Sequence, residues 1–539
     1  MYTECVSLLG CLVRECPQAY FVYQDFAPLV NKADLEVDFF ENLLHLQLHR
    51  KVRALLKFSE MCKSLKKSPN LQTLVNYALP LVSQFLCTPE HVGHNSNIDA
   101  AVEALGSICK LLPWQQYYAI LQFYLSKMKR LVEFQKQLVK IVKTILDSFH
   151  FDLSRAAEIK RNPNGKIRKK KNTSNLSDVN SVTEENAGDE SLDYPNEPKD
   201  EDLEKLEREL AVNISEEPDN VCVDEEAEVE PIVNRLSVLQ PMEASKIIHT
   251  IVSNLLPQLR ATIAERSLTD KFHKSNKKNA GPDRDEEDIL RIPLALTITQ
   301  LLQKLPEKLL RANIPGIFMK LCMFLTSRLE SVRRATRQTL QQIILSLGPE
   351  YLETLITEMI SLLTKGFHVY VLVHTLHSVL VAVQPLLKTG DIDRCLPLIL
   401  KVCMEDVFGS IAEGKESAQV QGKWVEARGN RSYDVFHILG EFISQKCLIN
   451  LILPLKEVST SSFVHQRIFR VQECLRYIVL GLVNNQFLST EAMLIFAYGV
   501  TSQSIPALLK GLEPETNLDE KEKILAERRN PDCFIIPPG

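Results

Sequence analysis

The sequence predicts an all-α protein, organised as an α-solenoid of stacked helix pairs with long disordered inserts. Three observations predict this class: apolar residues recur at helical spacing along most of the 539 residues, no segment alternates like a β-strand, and only 19 residues are Gly. A single helix pair cannot bury its apolar face, so neighbouring pairs must stack. An ordinary helical bundle is the alternative.

Helical segments alternate with polar inserts along the chain. At 98–112 an apolar stripe follows Asn97, the predicted N-cap, and Pro113 ends the helix. A stripe of Leu and Ile recurs at 294–305. The predicted order is helical repeats at 1–158, a disordered basic-then-acidic insert at 159–230, helical repeats at 231–265, a disordered loop at 266–288, helical repeats at 289–408, a loop at 409–432, helical repeats at 433–512 and a polar tail at 513–539.

The acidic half of the first insert lacks the apolar residues that a core requires. Residues 178–230 contain eleven Leu, Val and Ile among 53 positions. Complete burial of these would contribute about 15–35 kcal/mol. Ordering the backbone would cost on the order of 50–100 kcal/mol, so we expect disorder.

Charge is distributed unevenly along the chain. Residues 178–230 hold 21 Asp and Glu against three basic residues, which leaves 60 Lys and Arg against 47 Asp and Glu elsewhere. A basic body with an acidic insert is compatible with a nucleic-acid-rich setting. The insert also carries a basic run, which is a candidate nuclear-localisation signal or phosphate-binding arm and consists of Lys166, Arg168, Lys169, Lys170 and Lys171. A solubilising run, or pairing with the acidic stretch, is the alternative interpretation.

The clearest repeat unit is 317–347, where a first helix at 317–325 precedes a second helix that starts near Glu330. The second helix resembles that of a HEAT repeat in its acidic first turn, which suits the helix dipole, and in its Val332-Arg333 pair. In HEAT repeats this Arg tends to pair with an acidic group of a neighbouring repeat. We therefore assign Glu330, Val332 and Arg333 as HEAT structural residues, and expect Arg334 and Arg337 to be surface charges. The fold class is thus HEAT/armadillo-like.

A second segment carries a more specific resemblance. Residues 38–58 contain Asp38-Phe39-Phe40, then a His-x-Gln-x-His-Arg motif at 45–50, then Arg-Ala-Leu at 53–55. This order resembles a segment of the very large HEAT-repeat proteins of the small-subunit processome, the "down-regulated in metastasis" family. The basic run followed by an acidic insert is also similar to vertebrate members. The resemblance covers essentially the whole chain, as an internal fragment or a short isoform of a longer protein.

The resemblance implies a structural scaffold of the nucleolar small-subunit processome, required for pre-rRNA processing and 18S rRNA maturation. It implies location in the nucleus and nucleolus. The implied partners are pre-ribosomal particle proteins, pre-rRNA and a box C/D small nucleolar RNA particle. A HEAT-solenoid nuclear transport adaptor of the importin type is the alternative, since those proteins are also solenoids.

A basic helical face formed by His49, Arg50, Lys51 and Arg53 is a candidate for phosphate or partner contact, against the alternative of a solvated or salt-bridged face. His45 and His49 lack the Glu of a zinc-binding H-E-x-x-H motif. The 13 Cys contain no C-x-x-C pair.

Sequence motifs for catalysis and nucleotide binding are also missing. We therefore expect no enzymatic activity, no metal or cofactor, and no small-molecule substrate. We also expect no membrane segment, because the apolar run 369–383 is shorter than a span and carries two His.

Overall fold

The computed structural model describes residues 2–158, 236–264, 288–409, 412, 424–461 and 464–498, apart from Val92, Val132 and Val238. Within them the secondary structure is helical, and β pairing is limited to an isolated bridge between Phe151 and Ser237. The predicted all-α class is confirmed. The inserts predicted at 159–230 and 266–288 and the tail predicted at 513–539 lie almost entirely outside the described residues.

The first of two compact units comprises Met1–Leu255. Its helices are α1 (Tyr2–Glu15), α2 (Phe21–Phe26), α3 (Phe39–Leu44), α4 (Leu48–Ser64), α5 (Leu79–Ser83), α6 (Asn95–Cys109), α7 (Trp114–Arg130), α8 (Gln135–Asp147) and α9 (Pro241–Thr250).

Five helices of this unit pack each on the next, in the order α1, α3, α4, α6 and α8. Polar side chains join the successive helices. Ser59 of α4 and Ser107 of α6 share a hydrogen bond of 2.8 Å between their hydroxyls. Lys140 of α8 forms a 2.6 Å ion pair with Asp99 of α6.

The second unit comprises Leu256–Gly539. Its helices are α10 (Leu256–Ala264), α11 (Leu294–Gln303), α12 (Glu307–Leu325), α13 (Glu330–Leu347), α14 (Leu352–Leu362), α15 (His368–Val383), α16 (Leu396–Phe408), α17 (Arg431–Phe442), α18 (Leu448–Ser461) and α19 (His465–Asn484).

The second unit consists of two helical layers. One layer contains α12, α14 and α16 in order, and the other contains α11, α13, α15, α17 and α19, each packed on the next. Neighbouring helices of the two layers also pack on each other, as α12 does on α13 and α18 on α19. This arrangement of stacked antiparallel pairs is solenoid-like.

Side-chain amides join successive helices of the longer layer. Gln303 of α11 donates to the Ser346 carbonyl of α13 at 2.7 Å. Gln341 of α13 donates to the Ser378 carbonyl of α15 at 2.8 Å. Beyond α19, the Asn485 amide donates to the Gly440 carbonyl of α17 at 2.8 Å. These bonds satisfy polar groups at helix contacts and help to set the register between neighbours.

The α17–α19 contact depends on two glycines. A Cβ at Gly440 would lie 2.5 Å from the Ile478 carbonyl oxygen, and one at Gly481 would lie 2.1 Å from the His437 carbonyl oxygen. The backbones therefore approach too closely for any side chain. Small residues permit such crossings by shortening the distance between helix axes.

The long helix α12 differs from the prediction of a first helix at 317–325, because it begins ten residues earlier, at Glu307, and contains Pro315. An internal Pro removes one hydrogen bond and costs about 3 kcal/mol. Burial of Ile314, Ile317 and Phe318 offsets that cost.

The predicted N-cap at Asn97 is wrong. Helix α6 begins at Asn95, two residues earlier, and the Asn97 side chain is fully buried. Its amide nitrogen and oxygen have no hydrogen-bond partner. The structure gives no reason for a buried, unpaired amide at this position.

Residues His368–Leu386, which begin with α15, are long and apolar enough to cross a membrane by length and composition alone. More than half of this stretch is buried within the protein. Helix α15 contacts α13, α16 and α17. These contacts explain its apolar sequence as that of a core helix.

Replacement of Gly481 by Ala should lower the free energy of unfolding by at least about 2 kcal/mol, because the new methyl group would force backbones apart. The matched control is Gly316→Ala in α12, where a Cβ would lie 3.6 Å from the Arg260 guanidinium. This control should be neutral or stabilising by up to about 1 kcal/mol, since Ala favours helix. Urea unfolding followed by circular dichroism measures both. Equal shifts would contradict the close approach.

Candidate functional site

Helix α13 carries the three residues assigned as HEAT structural residues. Glu330 is its first residue and pairs with the exposed Arg334 one turn later. Val332 is buried, and the Arg333 side chain points to the interior with 2% of its surface exposed. The Arg333 and Arg334 side chains therefore lie in opposite environments, although the residues are adjacent.

Arg333 is held by a two-pronged ion pair with Glu426. Its Nε donates to Glu426 Oε1 at 2.7 Å and its Nη2 donates to Oε2 at 2.8 Å. Arg337, one turn further along α13, donates from Nη1 to the same Oε1 at 2.9 Å. Arg333 Nη1 also donates to the Ser327 carbonyl at 3.0 Å, in the turn before α13. We name Arg333, Arg337 and Glu426 the buried ion cluster.

Aromatic rings cover one side of the buried ion cluster. Trp424 stacks on Phe367, with ring centroids 3.9 Å apart and planes 5° from parallel. The Arg333 guanidinium carbon lies 5.4 Å from the Trp424 ring centroid, in a cation–π contact. The rings limit the access of water, which strengthens the ion pairs beneath them.

The cluster holds Glu426 in its charged form. Burial alone would raise the pKa of this carboxyl, but hydrogen bonds from Arg333 and Arg337 lower it to about 2. Nearby, burial followed by the charge of Arg337 lowers the pKa of His374 to about 4. The region therefore contains charged Glu426 and neutral His374 at neutral pH.

Two features of the cluster differ from the sequence interpretation. The expectation that Arg337 is a surface charge is wrong, because the residue is buried. Glu426 was missed, since it lies 93 positions from Arg333 in a segment read as a loop. The HEAT tendency for Arg to pair with an acidic group could have indicated such a partner, but not its position in the chain.

The segment at 38–58 forms a corner between α3 and α4. Asp38 is the N-cap of α3, and its Oδ1 accepts the backbone N–H groups of Phe40 and Glu41 at 2.9 and 3.2 Å. Phe39 and Phe40 are buried. His45 follows α3, and its Nδ1 accepts the Gln47 N–H at 3.0 Å. The Asp-Phe-Phe motif thus has a structural explanation in capping and packing.

The predicted basic helical face lies at the start of α4, and two of its four members have partners. Arg50 pairs with Glu36 at 3.4 Å, and Lys51 Nζ lies 5.9 Å from the centre of the Phe85 ring. His49 and Arg53 are exposed. Of this face, His49 and Arg53 are therefore the side chains most available to a partner.

The same corner contains an open apolar concavity. Its volume is about 710 Å³, and it is lined by Leu46, Gln47, Leu48, His49, Val52 and Ser96. Leu46 is 95% exposed, which is unusual for a Leu next to a concave surface. A concavity lined largely by apolar side chains fits an apolar side chain of a partner.

The other site predictions have different outcomes. The basic run formed by Lys166, Arg168, Lys169, Lys170 and Lys171 lies outside the described residues. Within the described part of the chain, no group of three or more His, Cys, Asp or Glu could hold a metal ion. Burial raises the pKa of the Cys62 and Cys322 thiols to about 12, which leaves them unreactive.

Comparison with known proteins identifies the relatives of this chain. The U3 small nucleolar RNA-associated protein 20 domain matches residues 282–501, a range that includes α11 to α19 and Glu426. The protein named U3 small nucleolar RNA-associated protein 20 from Schizosaccharomyces pombe is 26% identical over 499 residues, covering 92% of this chain and 17% of that protein. Its namesake from Saccharomyces cerevisiae is 26% identical over 504 residues, covering 93% of this chain and 16% of that protein. The resemblance inferred from 38–58 is confirmed.

Replacement of Arg333 by Ala should lower the free energy of unfolding by about 3–5 kcal/mol, because Glu426 would lose its two-pronged partner in a buried site. The matched control is Arg334→Ala, which removes only an exposed pair with Glu330 and should cost at most about 1 kcal/mol. Urea titration measures both values. Similar losses for the two variants would show that the cluster does not stabilise α13 as inferred.

The buried ion cluster should make stability depend on pH in the acid range. The folded pKa of Glu426 is about 2, below the unfolded value of about 4.3. Its contribution of about 3 kcal/mol is therefore complete above about pH 4.3 and lost as the pH falls towards about 2. The Glu426→Gln variant should be less stable at pH 7 and should lack this slope. Unfolding free energies measured at several pH values test it.

A second variant separates this effect from that of His374. Because the folded pKa of His374 is lowered to about 4, its contribution is lost between about pH 6.5 and 4. The His374→Gln variant should reduce the pH dependence of the free energy of unfolding only between about pH 6.5 and 4. An unchanged slope below about pH 4.3 in Glu426→Gln would contradict the ionised cluster.

Proposed function

We propose that this chain, a homologue of U3 small nucleolar RNA-associated protein 20, is a structural scaffold of the nucleolar small-subunit processome. In this role it is required for pre-rRNA processing and 18S rRNA maturation. Its partners are pre-ribosomal particle proteins, with pre-rRNA and a box C/D small nucleolar RNA particle in the same assembly.

One observation carries the proposal. The alignments with two proteins of that name extend over 92% and 93% of the chain, so the similarity includes the whole helical framework and not one motif. The chain spans 17% and 16% of the length of these relatives. The role proposed here is therefore that of a helical part within such an assembly.

The structure is compatible with a role in binding and without catalysis. The most strongly perturbed carboxyl, that of Glu426, is engaged by two Arg side chains, and Trp424 covers Arg333 beside it. Perturbed pKa values also arise in structural ion-pair networks. These contacts support a packing role for the cluster and provide no position for a substrate.

The corner between α3 and α4 is proposed to contact protein. Arg50 and Lys51 have intramolecular partners, so little cationic surface is left there for phosphate. The concavity lined by Leu46, Leu48 and Val52 instead offers apolar contact. A protein segment with an apolar anchor residue would bury its side chain in this concavity.

RNA contact is assigned to the basic run at 166–171. Phosphate binding by Lys and Arg releases counterions, so affinity falls with salt and is independent of base sequence. Replacement of Lys166, Arg168, Lys169, Lys170 and Lys171 by Ala should weaken RNA binding. It should also reduce the slope of log affinity against log salt by up to about 4.

To test this, the tagged chain and the variant with these five substitutions are expressed in cells. Each carries an added nuclear import signal, so that localisation does not limit the result. Co-sedimentation with pre-ribosomes and the levels of small-subunit RNA precursors are measured. The matched control replaces five basic residues of another polar segment by Ala: Lys271, Lys274, Lys277, Lys278 and Arg284. We expect the first variant to dissociate and the control to remain bound.

Two outcomes would contradict parts of the proposal. Normal association of the variant with five substitutions with pre-ribosomes would show that the basic run is not required. Failure of the unaltered chain to enter the nucleolus or to co-sediment would contradict the scaffold function. Binding to the GTPase Ran in that case would support the transport-adaptor alternative.

A further inference from the structure

The helices of the second unit form a repeating series of pairs. In the pairs α12–α13, α14–α15, α16–α17 and α18–α19, the second helix packs on the second helix of the preceding pair. Residues 490–498 are helical and begin after Ser489, whose hydroxyl accepts the Ala492 N–H at 3.1 Å. In chain order this helix follows α19, as the first helix of a further pair would.

Helix α19 has an apolar face that the described residues leave uncovered. Its face towards α17 buries Val471, Cys474 and Ile478. At 100° per residue, Phe469, Leu480 and Val483 lie on the opposite face, where they are 54%, 45% and 75% exposed. Phe487, just after the helix, does not belong to this face, because its ring lies 5.9 Å from that of Phe442 in α17.

Helix α15 has a neighbour on each side within the same layer, and comparison with it shows what would cover the exposed face of α19. Helix α15 packs between α13 and α17 and buries ten of its residues, including Val371, Leu376 and Val379. Helix α19 has similar apolar residues, but among the described helices it has only α17 as a neighbour in this layer. An exposed apolar face of this size indicates a docking surface.

We propose that residues 503–512 of this chain dock on this face as a helix, and complete the pair that the 490–498 helix begins. Ile505, Leu508, Leu509 and Leu512 follow the spacing i, i+3, i+4, i+7 and would form one stripe. Ser502 stands at the N-cap position, where Ser is favoured, and Pro506 is among the first four residues, where Pro is tolerated.

The dimensions of the segment fit the face. A ten-residue helix is about 15 Å long, which is enough to cover the C-terminal part of α19 that carries Leu480 and Val483. Residues 499–502 connect the two helices and span at most about 14 Å. A tether this short gives an effective concentration in the millimolar range, which favours this segment over a second copy of the chain.

Hydrogen exchange measured by mass spectrometry on the full chain tests the proposal. Amides at 507–512 should exchange at least tenfold more slowly than in an unstructured peptide of the same sequence. Leu508→Asp, in the docking segment, should abolish this protection. Val483→Asp, in the α19 face, should also abolish it. Since Val483 is 75% exposed, its replacement should leave the protection of α17 unchanged.

Two substitutions outside the contact serve as matched controls. Lys510→Asp lies on the opposite side of the 503–512 helix, and Asn484→Asp is exposed beside Val483. Both should retain full protection of 507–512.

Three results would overturn the proposal. The first is exchange of 507–512 at the unstructured rate in the unaltered chain. The second is protection that survives Val483→Asp. The third is protection that appears only as the chain concentration rises, which would assign the face to a second copy.

Discussion

The buried contact of Glu426 with Arg333 and Arg337 is the interaction on which the arrangement of the second unit depends. It joins the second helix of one pair to a segment 93 residues later, and Arg333 also bonds the turn before its own helix. A buried ion pair adds little net stability compared with apolar residues of similar size, whereas loss of one partner is costly. Its effect is therefore on position: α13 and the segment before α17 can pack in only one register.

The other polar contacts act in the same way over shorter distances. Gln303 and Gln341 each join one helix of the layer to the next, and Asn485 joins the end of α19 to α17. Close contact at Gly440 and Gly481 excludes any other register between α17 and α19. Apolar burial stabilises the stack without specifying position, since the hydrophobic effect is non-directional. Directional contacts therefore determine which face each helix presents.

Most of the correct predictions came from local sequence patterns and from the family resemblance. Helical spacing of Leu and Ile is a property of short windows, so the all-α class and the start of α13 at Glu330 could be predicted. Glu426 could not, because an isolated acidic residue in a polar segment has no local signal for a partner 93 positions away. The start of α12 at Glu307 was not predicted, and the helix continues through Pro315 because tertiary burial offsets the local cost. The cationic face of α4 was predicted from composition, but its pairing with Glu36 and Phe85 required three-dimensional contacts.

A scaffold must hold its contact surfaces at fixed positions, and this requirement connects the interior to the proposed function. Charges that set the register, such as Arg333 and Arg337, are buried and cannot contact a partner. Charges that remain exposed, such as Arg53, are few at the corner between α3 and α4, where an apolar concavity lies beside them. The surface at this corner is therefore better suited to a protein segment than to a phosphate backbone, which requires many unpaired cations along one path. In the proposed function, contact with RNA is assigned to the basic run at 166–171, so removal of that run should separate RNA binding from the assembly of protein partners.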